Sequence, residues 1–178
     1  RPTRRSLLGA SFLLSIANPG QAQSLAAPAG RVILTISGNI TQRNTADSAQ
    51  FDLAMLEALG TQSFSTTTPW YNGPVTFEGV PMARLLREVG ASGTTLTAQA
   101  LNDYSTDVPM ADFEKYPALL AFKRDGSYMP VRDKGPLFIV YPYDSDPALK
   151  HQQFYSRSAW QVARMIIKSV SYTHLTLP

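Results

Sequence analysis

The stretch that decides the fold runs Ser63-Phe-Ser-Thr-Thr-Thr-Pro-Trp70, then Tyr71-Asn-Gly-Pro-Val-Thr76, then Phe77-Glu-Gly-Val-Pro-Met-Ala-Arg-Leu-Leu86. Its first part is rich in β-branched and aromatic residues and closes at Pro69, which predicts a strand over Thr61 to Thr67. Gly73 and Pro74 predict a loop. Gly79 and Pro81 open an amphipathic helix, Met82 to Val89, with Pro81 in its first turn. Met82, Leu85, Leu86 and Val89 form its buried stripe, Arg84, Arg87 and Glu88 face water, and Gly90 stops it. A strand that ends in hydroxyls and an aromatic, beside a helix N-terminus, can wall an anion or cofactor pocket. Threonines also satisfy strand ends without any ligand, and on these residues alone the second use is favoured.

Working outward, Arg31 to Ser37 is the first strand by its β-branched content, turned by Gly38 and Asn39. Thr41 to Gln50 is polar and reads as a loop or ragged hairpin. Asp52 caps a short helix, Leu53 to Leu59, which Gly60 ends. Downstream, Thr94 to Leu101 alternates as a strand, and Asn102-Asp103-Tyr104-Ser105 breaks it with turn chemistry. Pro109 to Tyr116 is a helical turn and Ala118 to Lys123 a buried strand. Asp125-Gly126 signals a hairpin into Tyr128 to Val131. Arg132 to Pro136 is a tight charged loop, and Leu137 to Tyr141 is the most apolar strand. Pro142 to Pro147 is a loop, Lys150 to Ser156 a short helix or irregular segment, and Ala159 to Ile167 the last strand. No repeat is present. About seven short strands with two or three small helices predict a single α+β domain with a mixed, curved sheet.

Both ends are set apart from that domain. Arg1-Pro-Thr-Arg-Arg-Ser-Leu-Leu-Gly-Ala-Ser-Phe-Leu-Leu-Ser-Ile-Ala17 is a basic segment followed by a short apolar one, with small residues near Ala22 for cleavage. Residues 1–22 therefore read as a signal peptide, which implies export to the periplasm. Thr3-Arg4-Arg5-Ser6-Leu7-Leu8 also fits a twin-arginine signal, the route for proteins folded before transport. The absence of an initiator Met suggests that this terminus is incomplete. Residues 23–30 read as an Ala/Pro linker and 31–168 as the domain. Val170 to Pro178 continues no periodicity and resembles a translated sequencing adaptor, so 169–178 is set aside as a suspected non-native tail.

Without the three leader arginines the balance is 13 basic against 13 acidic residues, which gives a formally neutral domain. No Lys/Arg run interleaved with aromatics points to nucleic acid, and no segment reads as a membrane span. The chain has no Cys, which excludes disulfides, thiolate nucleophiles and thiolate metal ligands. No Gly-x-Ser-x-Gly elbow and no Gly-rich phosphate loop is present. Asp144 and Asp146 read as a turn rather than a calcium site, and no His cluster suggests zinc or iron. What remains are polar groups at strand ends: Thr66 to Thr68 with Trp70, Asn102 to Tyr104, Asp133 to Gly135, and Tyr141 with Tyr143. Singly each is better explained by structure, and together they outline a pocket.

Four segments in order resemble one family. They are Phe77 to Leu86 with Val89-Gly90; Ala100-Leu-Asn-Asp-Tyr-Ser105 with Pro109; Leu120-Ala-Phe122 and Asp125-Gly126 running into Met129-Pro-Val-Arg-Asp-Lys-Gly-Pro-Leu137; and Trp160-Gln-Val-Ala-Arg-Met-Ile166. Over roughly Val32 to Lys168 the chain resembles the sulfite-oxidase-type molybdopterin-binding domain, in its short, exported, stand-alone form. The resemblance implies a molybdenum ion held by a pterin dithiolene and one protein cysteine. The family's Cys-x-x-x-Trp spacing puts that cysteine at Thr66, and counting back from Phe77 puts it at Thr67. A threonine hydroxyl is too weak an acid to be the soft anionic ligand the metal prefers. Arg132 and Lys134 are the basic pair in a loop suited to the pterin phosphate. The resemblance thus predicts a pocket of Thr66, Thr67, Trp70, Asn102, Asp103, Tyr104, Asp133 and Lys134, with Arg132 beside it, binding molybdopterin or a related small ligand with altered or lost redox chemistry and no Cys-ligated metal. The alternatives are a non-catalytic periplasmic sensing or partner-binding module and, third, a working enzyme without a protein ligand to the metal.

Overall fold

A computed structural model describes residues 24–170. The leader predicted at 1–22 and residues 171–178 of the suspected tail lie outside the described residues. The strands divide into two five-stranded sheets. The first has β1 (Leu34–Gly38) between β2 (Ser48–Phe51) and β10 (Val162–Lys168), followed by β5 (Thr95–Ala100) and β6 (Ser105–Pro109). β1 pairs with β10 in parallel, Thr35 opposite Arg164, and the other pairings in this sheet are antiparallel. The second sheet is antiparallel and centres on β7 (Leu119–Arg124). β4 (Val75–Pro81) lies on one edge of β7, with β3 (Gln62–Thr66) beyond it; β8 (Ser127–Tyr128) and β9 (Phe138–Val140) share the other edge in succession.

The patterns of burial follow from these positions. The main core takes Leu34 and Ile36 from β1, Met165 and Ile167 from β10, and Val80, Leu120, Phe122 and Ile139 from one face of the second sheet. The opposite face of that sheet buries Phe77, Leu119, Ala121, Phe138 and Val140 in a smaller cluster closed by Trp70, Tyr71 and Trp160. β9 and the first four residues of β7, Leu119 to Phe122, therefore read as unbroken apolar runs, because both of their faces are covered. Each fully buried Leu, Phe or Met contributes about 1.5–3 kcal/mol.

Local chemistry sets the helices. Asp52 caps α1 (Leu53–Ala58): its carboxylate accepts from Met55 N at 2.8 Å and from Gly30 N at 2.8 Å, and these backbone donors hold its pKa below the usual carboxylate value. Gly60 ends α1 at a φ of 94°. In α2 (Met82–Glu88) the predicted stripe is buried, and each member helps close the main core. Arg84 departs from the sequence reading: it turns back from water to donate to Leu59 O and Gly60 O at 3.2 and 3.0 Å, which satisfies carbonyls at the end of α1. Two shorter helices, α3 (Ala111–Lys115) and α4 (Gln152–Arg157), follow. No helix among the described residues is long and apolar enough to cross a membrane.

The α+β class predicted from the sequence is the class observed. Two strands escape the sequence reading. β4 occupies Val75–Pro81, where a loop and a helix start were predicted, so Pro81 ends a strand and stands at the N-cap of α2. Its register shifts at Glu78/Gly79, and a Cβ on Gly79 would lie 2.1 Å from Leu120 O, so glycine is required by the close approach of β7. β6 pairs along β5 where only a turn was predicted. Val131 belongs to a 3-10 turn, Val131–Asp133, rather than to the end of a strand.

Candidate functional site

The best-formed cleft, of about 400 Å³, opens where the loop after β3, the β5–β6 turn and α4 with the segment leading into β10 converge. Each element presents its side chains for a local reason. After β3, Thr68 Oγ1 accepts from the amides of Trp70 and Tyr71, both at 3.2 Å, and this small turn projects the Trp70 indole into the cleft. Trp70 stands edge-on to Trp160, with centroids 5.7 Å apart and planes at 80°, and edge-on to Tyr155, at 5.8 Å and 76°. The Trp70 ring is therefore nearly perpendicular to both of the others.

On the β5–β6 turn, Asn102 Oδ1 accepts from Tyr104 N at 3.2 Å, and Asp103 takes the left-handed conformation at a φ of 66°. That geometry swings Tyr104 across the mouth, where its hydroxyl donates to Ser156 O at 3.2 Å. From α4, Gln152, Tyr155 and Ser156 recur at helical spacing on one face and line the cleft, while Phe154 turns to the core. Ser158 sits deeper, donating to Phe154 O at 2.8 Å and sharing a hydrogen bond with the Tyr143 hydroxyl.

The cleft carries no charged side chain in its lining. Below it, Arg157 Nη1 reaches both carboxylate oxygens of Asp112, at 3.1 and 2.9 Å, and Tyr141 donates to Asp112 at 2.8 Å. Burial, then the Asp112 charge, pushes the Tyr141 pKa up, and burial does the same for Tyr143, so both remain neutral phenols.

Of the residues predicted from the sequence, Trp70, Asn102 and Tyr104 come together in this cleft. Thr66 and Thr67 do not line it. Thr67 donates its amide to Asp144 Oδ2 at 2.7 Å and its hydroxyl to Asp144 Oδ1 at 2.5 Å, and Thr66 Oγ1 accepts from Asp144 N at 3.1 Å. Lys150 completes the cluster 2.9 Å from Asp144. The Thr67 hydroxyl, followed by Lys150, holds the Asp144 pKa down at about 2. Asp103 faces a separate depression with Gln99 and Arg164, and Arg132 is exposed.

Asp133 pairs with Arg124 at 2.6 Å and accepts from the Tyr71 hydroxyl at 3.0 Å. Burial works to raise the Asp133 pKa, but the hydrogen bonds from Arg124 and Tyr71 outweigh it and the value falls below the usual one. Lys134 lies with its ammonium 5.0 Å from the ring centroids of both Tyr71 and Trp160. It therefore touches a ring of the cleft wall without lining the cleft. Gln152, Tyr155, Ser156 and Ser158 were not singled out in the sequence; the i, i+3, i+4 spacing of the first three is the one signal there, and it spans too few residues to stand out.

These residues do not fit a thiolate-ligated molybdenum. The chain has no Cys, and the hydroxyls at the two corresponding positions are committed within the fold, that of Thr67 to the Asp144 carboxylate and that of Thr66 to Thr67 O. Among the described residues no group of three His, Cys, Asp or Glu side chains could hold a metal ion. The fold is nonetheless that of a known group. No curated protein matches the chain. The family model described as the oxidoreductase molybdopterin binding domain matches residues 41–144, which takes in β2 to β9 and stops short of the α4 wall. That match spans over half of the 178 residues, and the chain belongs to the oxidoreductase molybdopterin-binding domain family.

Proposed function

We propose that this is an exported, ligand-binding member of the family, which takes a pterin ring or a related flat small molecule in the cleft and has lost metal-centred oxygen-atom transfer. One observation carries the reading: at the two positions the resemblance offers for the cysteine, Thr66 spends its hydroxyl on Thr67 O and Thr67 spends its own on Asp144, while the nearby cleft has aromatic walls. Trp70 and Trp160 offer faces for stacking, Asn102 and Gln152 offer amide groups for the ring edge, and Tyr104 closes the mouth. Export rests on the leader at residues 1–22.

The chain has two tryptophans, and both line the cleft, so intrinsic fluorescence reports on it directly. Pterin added to the purified protein is expected to quench that emission saturably, and no quenching would overturn the reading. Protein purified from a host that makes the molybdenum cofactor is expected to carry far less than one molybdenum per chain; a full equivalent would restore the redox reading. Residues 1–30 fused to a reporter that matures only outside the cytoplasm test the export.

A partner-binding module is the second reading. It is favoured by Leu101 and Tyr104, which are 51% and 48% exposed on one turn beside the cleft. Recovery of a stoichiometric periplasmic partner that is lost with Leu101→Ser would support it.

A further inference from the structure

We infer that the cleft takes an uncharged planar heterocycle with a lactam-type edge and discriminates against the phosphorylated form of the same ring, a refinement that rests on the ligand-binding reading above. The polar groups in the lining are amides and hydroxyls, with no cation among them. Of the cations on neighbouring elements, Arg157 is paired with Asp112, Arg124 with Asp133 and Lys150 with Asp144, while Arg164 faces the separate depression with Asp103 and Arg132 is exposed. Lys134 is held over the Tyr71 and Trp160 rings. A phosphate brought into this cleft would lose water and find no opposite charge, an unfavourable transfer unless a pair is supplied.

The amides suit a different edge. Asn102 uses its oxygen on Tyr104 N, which leaves its NH2 to donate. Gln152 directs its NH2 toward Ser156 Oγ at 3.4 Å, which leaves its carbonyl to accept. A lactam presents one acceptor and one donor side by side, the complement of that pair, and the perpendicular indoles take its ring face.

The test titrates the purified chain with hydroxymethylpterin and with its monophosphate, following tryptophan emission. The uncharged ring is expected to bind at least tenfold more tightly, since it alone leaves no charge unpaired. Asn102→Asp keeps the oxygen that holds the turn and removes the donor; with Gln152→Ala, each is expected to weaken the uncharged ring about tenfold while leaving the melting temperature in place. Equal or tighter binding of the monophosphate overturns the inference, as does monophosphate binding that disappears in Lys134→Met. Unchanged affinity in both amide variants overturns the lactam edge. If neither compound binds, the ligand-binding reading itself falls, an outcome separate from a reversed preference.

Discussion

Thr67 gives both its amide and its hydroxyl to a carboxylate 77 residues away in sequence. Such a pairing satisfies the donors of a hydroxyl-rich strand end within the fold. The Asp144 pKa lies at about 2, below its ordinary 3.8, so the ionised carboxylate stabilises the folded state above the ordinary value, and that share is lost as the pH falls through 3.8 toward 2. The melting temperature of the native protein should therefore exceed that of Asp144→Asn most at about pH 5 and converge with it toward about pH 2. A gap that stays constant across that range would contradict the assignment. The sequence marks Thr66 and Thr67 as notable by their position before Trp70. It does not reveal which acceptor they meet, because that acceptor arrives on a 3-10 turn after β9 and no local pattern links the two.

Between elements, the interaction of most consequence is the one that joins α3 to α4. Asp112 is 8% exposed and is served by Arg157 and by the Tyr141 hydroxyl. Arg157→Met would leave that carboxylate buried without its cation, and the loss should be about 3 kcal/mol or more in urea unfolding. α4 is also the cleft's outer wall, so the same variant should weaken tryptophan quenching by pterin. Gly79→Ala should cost about 1–3 kcal/mol by the same measure, because the β4–β7 approach leaves no room for a methyl group.

These elements were unevenly legible. The α2 stripe, the Asp52 cap and the apolar β9 could be read directly, since each follows a local rule. β4 was hidden because Gly79 and Pro81, which serve a bulge and a strand end, are also the residues that punctuate a helix start. β6 was hidden because an edge strand with Val108 as its one fully buried side chain carries little apolar pattern. The cleft wall from α4 was hidden because six residues are too few to establish a period.

At the scale of the whole molecule, Trp70 packs against both apolar clusters, so the cleft sits on the seam between the two cores rather than on a peripheral loop. Disturbing that residue should be felt in stability as well as in binding. The first sheet also fixes an order of protection. β10 is flanked by β1 and β5, while β2 and β6 are its edges. Amide exchange should be slowest in β10 and in the strands beside it and faster in β2, whose outer side is met in part by Asn44, bonded to both Gln50 N and Gln50 O. Faster exchange in β10 than in β2 would refute that order. The parallel pairing of β1 with β10 has a further consequence for how the protein is made. β1 must wait for β10, which follows every other strand described, and until then β1 and β5 each present an unpaired edge. A nascent chain stalled before Val162 is thus a sticky intermediate, and this sheet closes only once β10 has been made.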